Sequence, residues 1–208
     1  MMENKPASDA AFTGSVPALY DALLVPMLFE PYAADVVRRL SARPPKRLLE
    51  VAAGTGAVTR AMAAGLPDTT AITATDLNPG MIERGRGVGT SRAVDWRVAD
   101  ALQLPFDDES FDAVVCQFGL MFFPDKPAGH REVRRVLVSG GIWLFSVWDR
   151  IEENEFPAVV MDALARIFPD DPPRFLIRTP HGHFDREALA RDLVAGGFTE
   201  APHIDVVA

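Results

Sequence analysis

The run Glu50-Val51-Ala52-Ala53-Gly54-Thr55-Gly56 places a carboxylate, two small residues and two glycines within one turn of chain. Main chain can approach a ligand closely there, because glycine tolerates positive φ and lacks the Cβ that would intervene, and alanine adds little more. A helix-period stretch rich in alanine follows, so the free amides at its start would face the same ligand. Asp76 lies twenty positions beyond Gly56, at the end of the next apolar run, where a carboxylate can accept hydrogen bonds from both hydroxyls of a ribose. The pair points to an adenosine-containing cofactor. Asn78-Pro79-Gly80 is turn chemistry, so Asp76 also suits a turn or a helix cap. A nicotinamide dinucleotide would use the same two features, but the third glycine of that fingerprint is replaced by Thr59. Ala99-Asp100-Ala101-Leu102 offers a carboxylate beside apolar groups, suited to an adenine amino group and ring face.

These residues need a frame that brings them together. Short apolar runs at Leu48–Val51, Ala71–Thr75, Val94–Val98, Phe111–Gln117 and Ile142–Trp148 alternate with helix-period stretches at 57–66, near Met81 and at 126–138. Strands alternating with helices predict an α/β, doubly wound, mainly parallel Rossmann-like sheet covered on both faces. Ahead of it, Leu19, Leu23, Val36, Val37 and Leu40 predict an N-terminal helical cap of two short helices, broken at Pro26 and Pro31. Beyond Trp148 come helices near 156–168 and 185–196, then a sixth extended run, 202–208. Because that run stops within an expected strand, the chain reads as C-terminally incomplete, with an unpaired sheet edge through which copies could associate. The expected organisation is a mobile leader over 1–15 and one domain over 16–208, with a cofactor-binding core at 47–148 and an acceptor-side segment at 149–208.

Composition narrows the partners. The 208 residues are 48% hydrophobic and 24% charged, a globular balance, and the length suits one core. A formal charge of −8 disfavours nucleic acid and anionic membrane. Apolar runs such as Leu23–Phe29 are far shorter than the roughly 20 residues of a spanning helix, so no membrane insertion is expected. One cysteine, Cys116, and no secretory signal pattern predict a cytoplasmic location. His181 and His183 share a loop without a cluster of cysteines or carboxylates, so no metal is expected. His130, amid Arg131, Glu132, Arg134 and Arg135, reads as part of a solvated helix face. No catalytic base is assigned.

The stretches LLEVAAGTGAVTR, ATDLNPGMIERG, VADALQLPFDDESFDAVVCQFGLMFFPDK and REVRRVLVSGGIWLFSVW, in this order over 47–148, resemble the class I S-adenosylmethionine-dependent methyltransferases, in the quinone-biosynthesis-related type 11 branch. The resemblance implies the class I methyltransferase fold, a seven-stranded sheet with its last strand reversed. It also implies S-adenosylmethionine as cofactor, S-adenosylhomocysteine as product and a small or lipophilic methyl acceptor. By position, Glu50, Ala52, Gly54 and Gly56 would surround the methionine half, and Asp76 would hold the ribose. Leu77 and Met81 would lie against adenine, Asp100 and Ala101 at its edge, and Gln117 with Phe118 beside the methyl donor. Thr59 and Arg60 are lesser candidates for the methionine carboxylate, and Tyr20 for a segment that closes over the cofactor. Ala52 stands where many relatives have glycine, a departure small enough for binding to survive. Phe122 and Phe123 suit either an acceptor-pocket wall or the core. The sequence Cys116-Gln117-Phe118-Gly119 lacks the Asn/Asp-Pro-Pro-Tyr pattern of enzymes that methylate planar amino groups. The acceptor atom stays open, as do a nicotinamide oxidoreductase and a non-catalytic cofactor-binding module.

Overall fold

The computed structural model describes residues 14–207, and the expected leader lies, but for its last two residues, outside them. The sheet comprises β1 (Arg47–Glu50), β2 (Ala71–Asp76), β3 (Asp95–Val98), β4 (Phe111–Gln117) and β5 (Leu137–Ser146), in the spatial order β3-β2-β1-β4-β5. Every pairing is parallel. Parallel neighbours require crossovers, which α3 (Ala57–Gly65), α4 (Pro79–Val88) and α5 (Lys126–Val136) supply. Period-two alternation divides the core. Leu48, Ala113 and Val115 pack with Val58 and Met62 of α3 and with Ala33, Val36 and Leu40 of α2 (Glu30–Ser41). Leu49, Val114 and Cys116 face the opposite side, with Val133 and Val136 of α5 and Leu189 of α8 (Arg186–Ala195). Asp125 and Asp185 cap α5 and α8 by accepting from the Ala128 and Ala188 amides.

Several expectations change. Pro26 does not break the N-terminal helices. It sits inside a π-helical segment, Tyr20–Phe29, that links α1 (Val16–Leu19) to α2. Its wide turns, as in the Glu30 N–H donating to Val25 O, accommodate a residue without an N–H. Pro31 lies in the first turn of α2, where no N–H is needed. Leu19 and Leu23 are exposed rather than core. The final run, 202–207, pairs with no strand, so among the described residues five strands stand where the resemblance implies seven. His130 is not on a solvated face. It is fully buried, with Trp143 Nε1 donating to its Nδ1 at 3.1 Å, because α8 closes over that side of α5. α6 (Glu155–Ile167) and α7 (Phe175–Arg178) lie between β5 and α8. No described helix is long and apolar enough to cross a membrane.

Candidate functional site

Because all strands run the same way, their C-terminal ends bring Glu50, Asp76, Gln117 and Ser146 to one edge of the sheet. The turn after β1 folds over that edge. Ala52, Gly54 and Gly56 all have positive φ, +52°, +57° and +86°, so the sequence reading that asked for glycine there is met twice by glycine and once by a strained alanine. Asp76 ties the turn to β2: its carboxylate accepts from the Gly54 amide at 2.8 Å and from the Asn78 amide at 2.8 Å. One side chain therefore fixes both the glycine turn and the start of α4.

Electrostatics in the cleft are unusual for a surface turn. Glu50 is 2% exposed and accepts from Thr59 Oγ1. Burial pushes its carboxyl up to about 8, with the Asp76 charge adding to the rise and the Thr59 hydrogen bond opposing it. Burial likewise raises Asp76, against the hydrogen bonds from Asn78 and Gly54. Two buried carboxyls share a cleft in which, among the described residues, neither forms an ion pair, Arg60 acting on Glu50 only from a distance. A ligand carrying positive charge fits such a cleft, because it would favour the ionised carboxylates.

A lid closes it. Tyr20 stacks on Phe29 with ring centroids 5.1 Å apart, and its ring lies 3.8 Å from where a Gly54 Cβ would stand. Burial, then the Asp76 charge, raises the Tyr20 phenol. Next to it, Asp21 accepts from Thr55 Oγ1 and pairs with Arg60 at 3.0 Å and Arg84 at 2.9 Å. Burial alone would raise the Asp21 carboxyl, but the Arg84, Thr55 and Arg60 hydrogen bonds win and hold it below the usual range. The space left among Tyr20, Phe29, Glu50, Ala52, Thr55 and Gln117 is about 20 Å³. Small-molecule pockets run to roughly 300–1,000 Å³, so in this conformation the space is too small for a nucleoside. A larger cavity, about 390 Å³, lies between α1 and the start of α4 and includes none of the sequence-predicted site residues.

The remaining predicted residues divide. Met81 is buried and Leu77, directly after β2, is 56% exposed. Asp100 is exposed, its carboxylate accepting from the Leu102 amide, and Ala101 packs on the core behind it. Gln117 lines the cleft, whereas Phe118 is buried beside it with φ +53°. Gly56 has a packing role: a Cβ there would meet the Trp96 ring at 2.4 Å. Thr59 spends its hydroxyl on Glu50, and Arg60 binds Thr55 O and Asp21, so neither is left for a ligand carboxylate in this conformation. Phe123 belongs to the core, while Phe122 lies 6.5 Å from Phe175. No metal-holding cluster exists among the described residues, and His181 and His183 have different partners, Asp149 O and Asp192. Sequence reasoning missed the Asp21–Arg60–Arg84 clasp, whose members are far apart in the chain and share no motif.

A parallel sheet with a glycine turn after the first strand and an acid ending the second is shared by dinucleotide-binding sheets and class I methyltransferases. Residues 49–145 match the family described as "Methyltransferase domain". A Bordetella avium protein named ubiquinone/menaquinone biosynthesis C-methyltransferase UbiE is 30% identical over 93% of this chain and 81% of its own length. A demethylmenaquinone methyltransferase of Corynebacterium kroppenstedtii is 30% identical, over 96% and 89%. Among solved structures, a Thermotoga maritima S-adenosylmethionine-dependent methyltransferase shares the fold (TM-score 0.63, 21% identity, 89% of this chain and 79% of that one). A methyltransferase of Bacillus halodurans superposes with a TM-score of 0.56 at 25% identity, over 79% and 68%. The chain belongs to the S-adenosylmethionine-dependent methyltransferases of the type 11, quinone-biosynthesis-related branch. Its cofactor is S-adenosylmethionine, and the nicotinamide alternative is set aside.

Proposed function

We propose that this enzyme methylates a small lipophilic acceptor, a quinol ring being the case its relatives' names favour. The observation that carries the reading is the pair of buried carboxyls, Glu50 and Asp76, joined by the glycine turn. The methionine half of the cofactor bears an ammonium and a sulfonium, the charge this cleft favours. Glu50 and the Ala52–Gly56 backbone would hold that half, and Asp76 the ribose. Leu77, Met81, Asp100 and Ala101 would meet adenine, while Gln117 and Tyr20 would bound the reactive end. The bound cofactor supplies an electrophilic methyl carbon. The protein's part is to align the acceptor with it and exclude water. In this reading residues 47–148 bind the cofactor and 149–207 contribute the acceptor side. Calorimetry tests the first half: both S-adenosylmethionine and S-adenosylhomocysteine should bind at micromolar protein. Transfer of labelled methyl to reduced 1,4-naphthoquinone tests the second, and absence of any labelled product from it and from lipid extracts would overturn the quinol assignment.

A further inference from the structure

Where the cofactor cleft meets the ends of β4 and β5, the sheet edge carries two polar side-chain atoms without protein partners. Gln117 and Ser146 are register partners at the ends of β4 and β5, so their side chains share a face. Gln117 Nε2 donates to Phe29 O at 3.2 Å, but its Oε1 and the Ser146 Oγ are buried without a hydrogen bond. Native proteins rarely leave such groups unmatched unless an ordered water or a ligand completes them.

Around them stands a nest of rings. Phe118 and Trp148 stack with centroids 3.8 Å apart and planes 4° from parallel. Tyr32 meets both edge-on, at 5.0 and 5.4 Å, and Phe29 tilts against both, at 6.0 and 6.3 Å. Phe118 has φ +53°, a conformation that a bulky residue adopts only when its surroundings enforce it. Phe29 also lines the cofactor cleft, so one side chain borders both the cleft and the cluster of rings.

One histidine closes this nest. The His181 ring lies 6.0 Å from that of Trp148, and its Nδ1 is 2.8 Å from Asp149 O. A carbonyl can only accept, so Nδ1 carries a proton, and in the neutral ring Nε2 keeps the lone pair. The His181 amide donates to Leu176 O, which fixes the backbone beneath the ring. The other candidates are less suited: His130 Nδ1 accepts from Trp143 while its Nε2 is sealed, and burial lowers it to about 4. His183 Nε2 is sealed beside Asp192.

We propose that the rings of Phe29, Tyr32, Phe118 and Trp148 receive a planar, hydroxyl-bearing aromatic acceptor, and that His181 Nε2 takes its hydroxyl proton. This rests on the methyl-transfer reading above. The acceptor O–H bond breaks and its proton moves to Nε2, giving an imidazolium. The pair left on oxygen drives attack on the methyl carbon by that oxygen or by a conjugated ring carbon. The carbon–sulfur pair stays with sulfur as a neutral thioether. After ring-carbon attack, the displaced ring hydrogen leaves to water as aromaticity returns, and the oxygen takes back the proton held on Nε2. One proton is released overall in either case.

The test compares wild type, His181→Phe and His181→Gln on two probes, reduced 1,4-naphthoquinone and 4-nitrocatechol, the latter already ionised at neutral pH. General-base removal should slow transfer to the first probe by about 100-fold or more. Transfer to the second should fall less than about threefold. S-adenosylhomocysteine affinity should stay unchanged. Equal losses on both probes, or no loss, overturn the proposal, as does wild type that binds S-adenosylhomocysteine yet methylates neither probe. Wild type that fails to bind S-adenosylhomocysteine sinks the underlying reading instead. Should both variants unfold, nitrogen-15 spectra of wild type decide: the His181 signals must report an Nδ1–H tautomer and shift when reduced 1,4-naphthoquinone joins the S-adenosylhomocysteine complex, and unchanged signals overturn the proposal.

Discussion

The regions proposed to hold the cofactor and the acceptor are built differently. From Leu48 to Asp76 the chain lies at the sheet's centre, and the side chains around the glycine turn are mostly buried. From Arg150 to Thr199 only His181, Leu189, Leu193 and Gly196 are buried, α6 and α7 bury no residue, and Phe156, Val159 and Ile177 face solvent. The cofactor is common to a family, so its binding can be entrusted to backbone in a rigid core. Acceptors vary, and loosely packed side chains on surface segments can be exchanged without unfolding the sheet.

The sharpest way to break this contrast is Gly56→Ala, which forces a Cβ into Trp96 at positive φ; a loss of roughly 2–5 kcal/mol in denaturant unfolding is expected. Gly54→Ala meets only the Tyr20 ring, at 3.8 Å, and should cost about 1–2 kcal/mol of stability. Its loss of cofactor affinity should be the larger effect, and equal losses would mean that Gly54 also serves packing alone. Asp76→Ala removes the acceptor for Gly54 and Asn78 as well as the proposed ribose ligand, and calorimetry should show affinity falling about 100-fold.

Glu50 provides a pH test. Its folded value, about 8, lies above the unfolded value, so between those values the native state holds a proton that the unfolded chain has released. Stability of the ligand-free protein should therefore decline as pH rises from about 5 to 8, by at most about 1.4 kcal/mol per pH unit from this group. Glu50→Gln should flatten that slope, and a slope unchanged in the variant would place its origin elsewhere. The smallest effect belongs to the other half of the molecule: Phe156→Ser on α6 should move unfolding by under about 0.5 kcal/mol. A loss of several kcal/mol there would erase the distinction between the two regions.

The strand–helix alternation and the Glu50–Gly56/Asp76 pair were legible because they depend on local patterns: period-two and period-3.6 burial, glycine where φ is positive, an acid at a strand end. What escaped reading depends on contacts between distant residues. His130 sits among charged neighbours in the chain, yet α8 and Trp143 enclose it. Gly56 reads as a ligand glycine, yet Trp96, forty positions away, fills the space its Cβ would take.

Sequence alone determined that a parallel sheet would carry a glycine turn and an acid to one edge, since strand direction and positive φ are local consequences of residue type. Only the tertiary structure decided that Asp21 would clasp Arg60 and Arg84 to hold Tyr20 over that turn. It alone made His181 a buried ring with a fixed tautomer beside Trp148. The physical reason is that ion pairs, ring stacks and tautomers depend on distances across the fold, and no spacing along the chain encodes them.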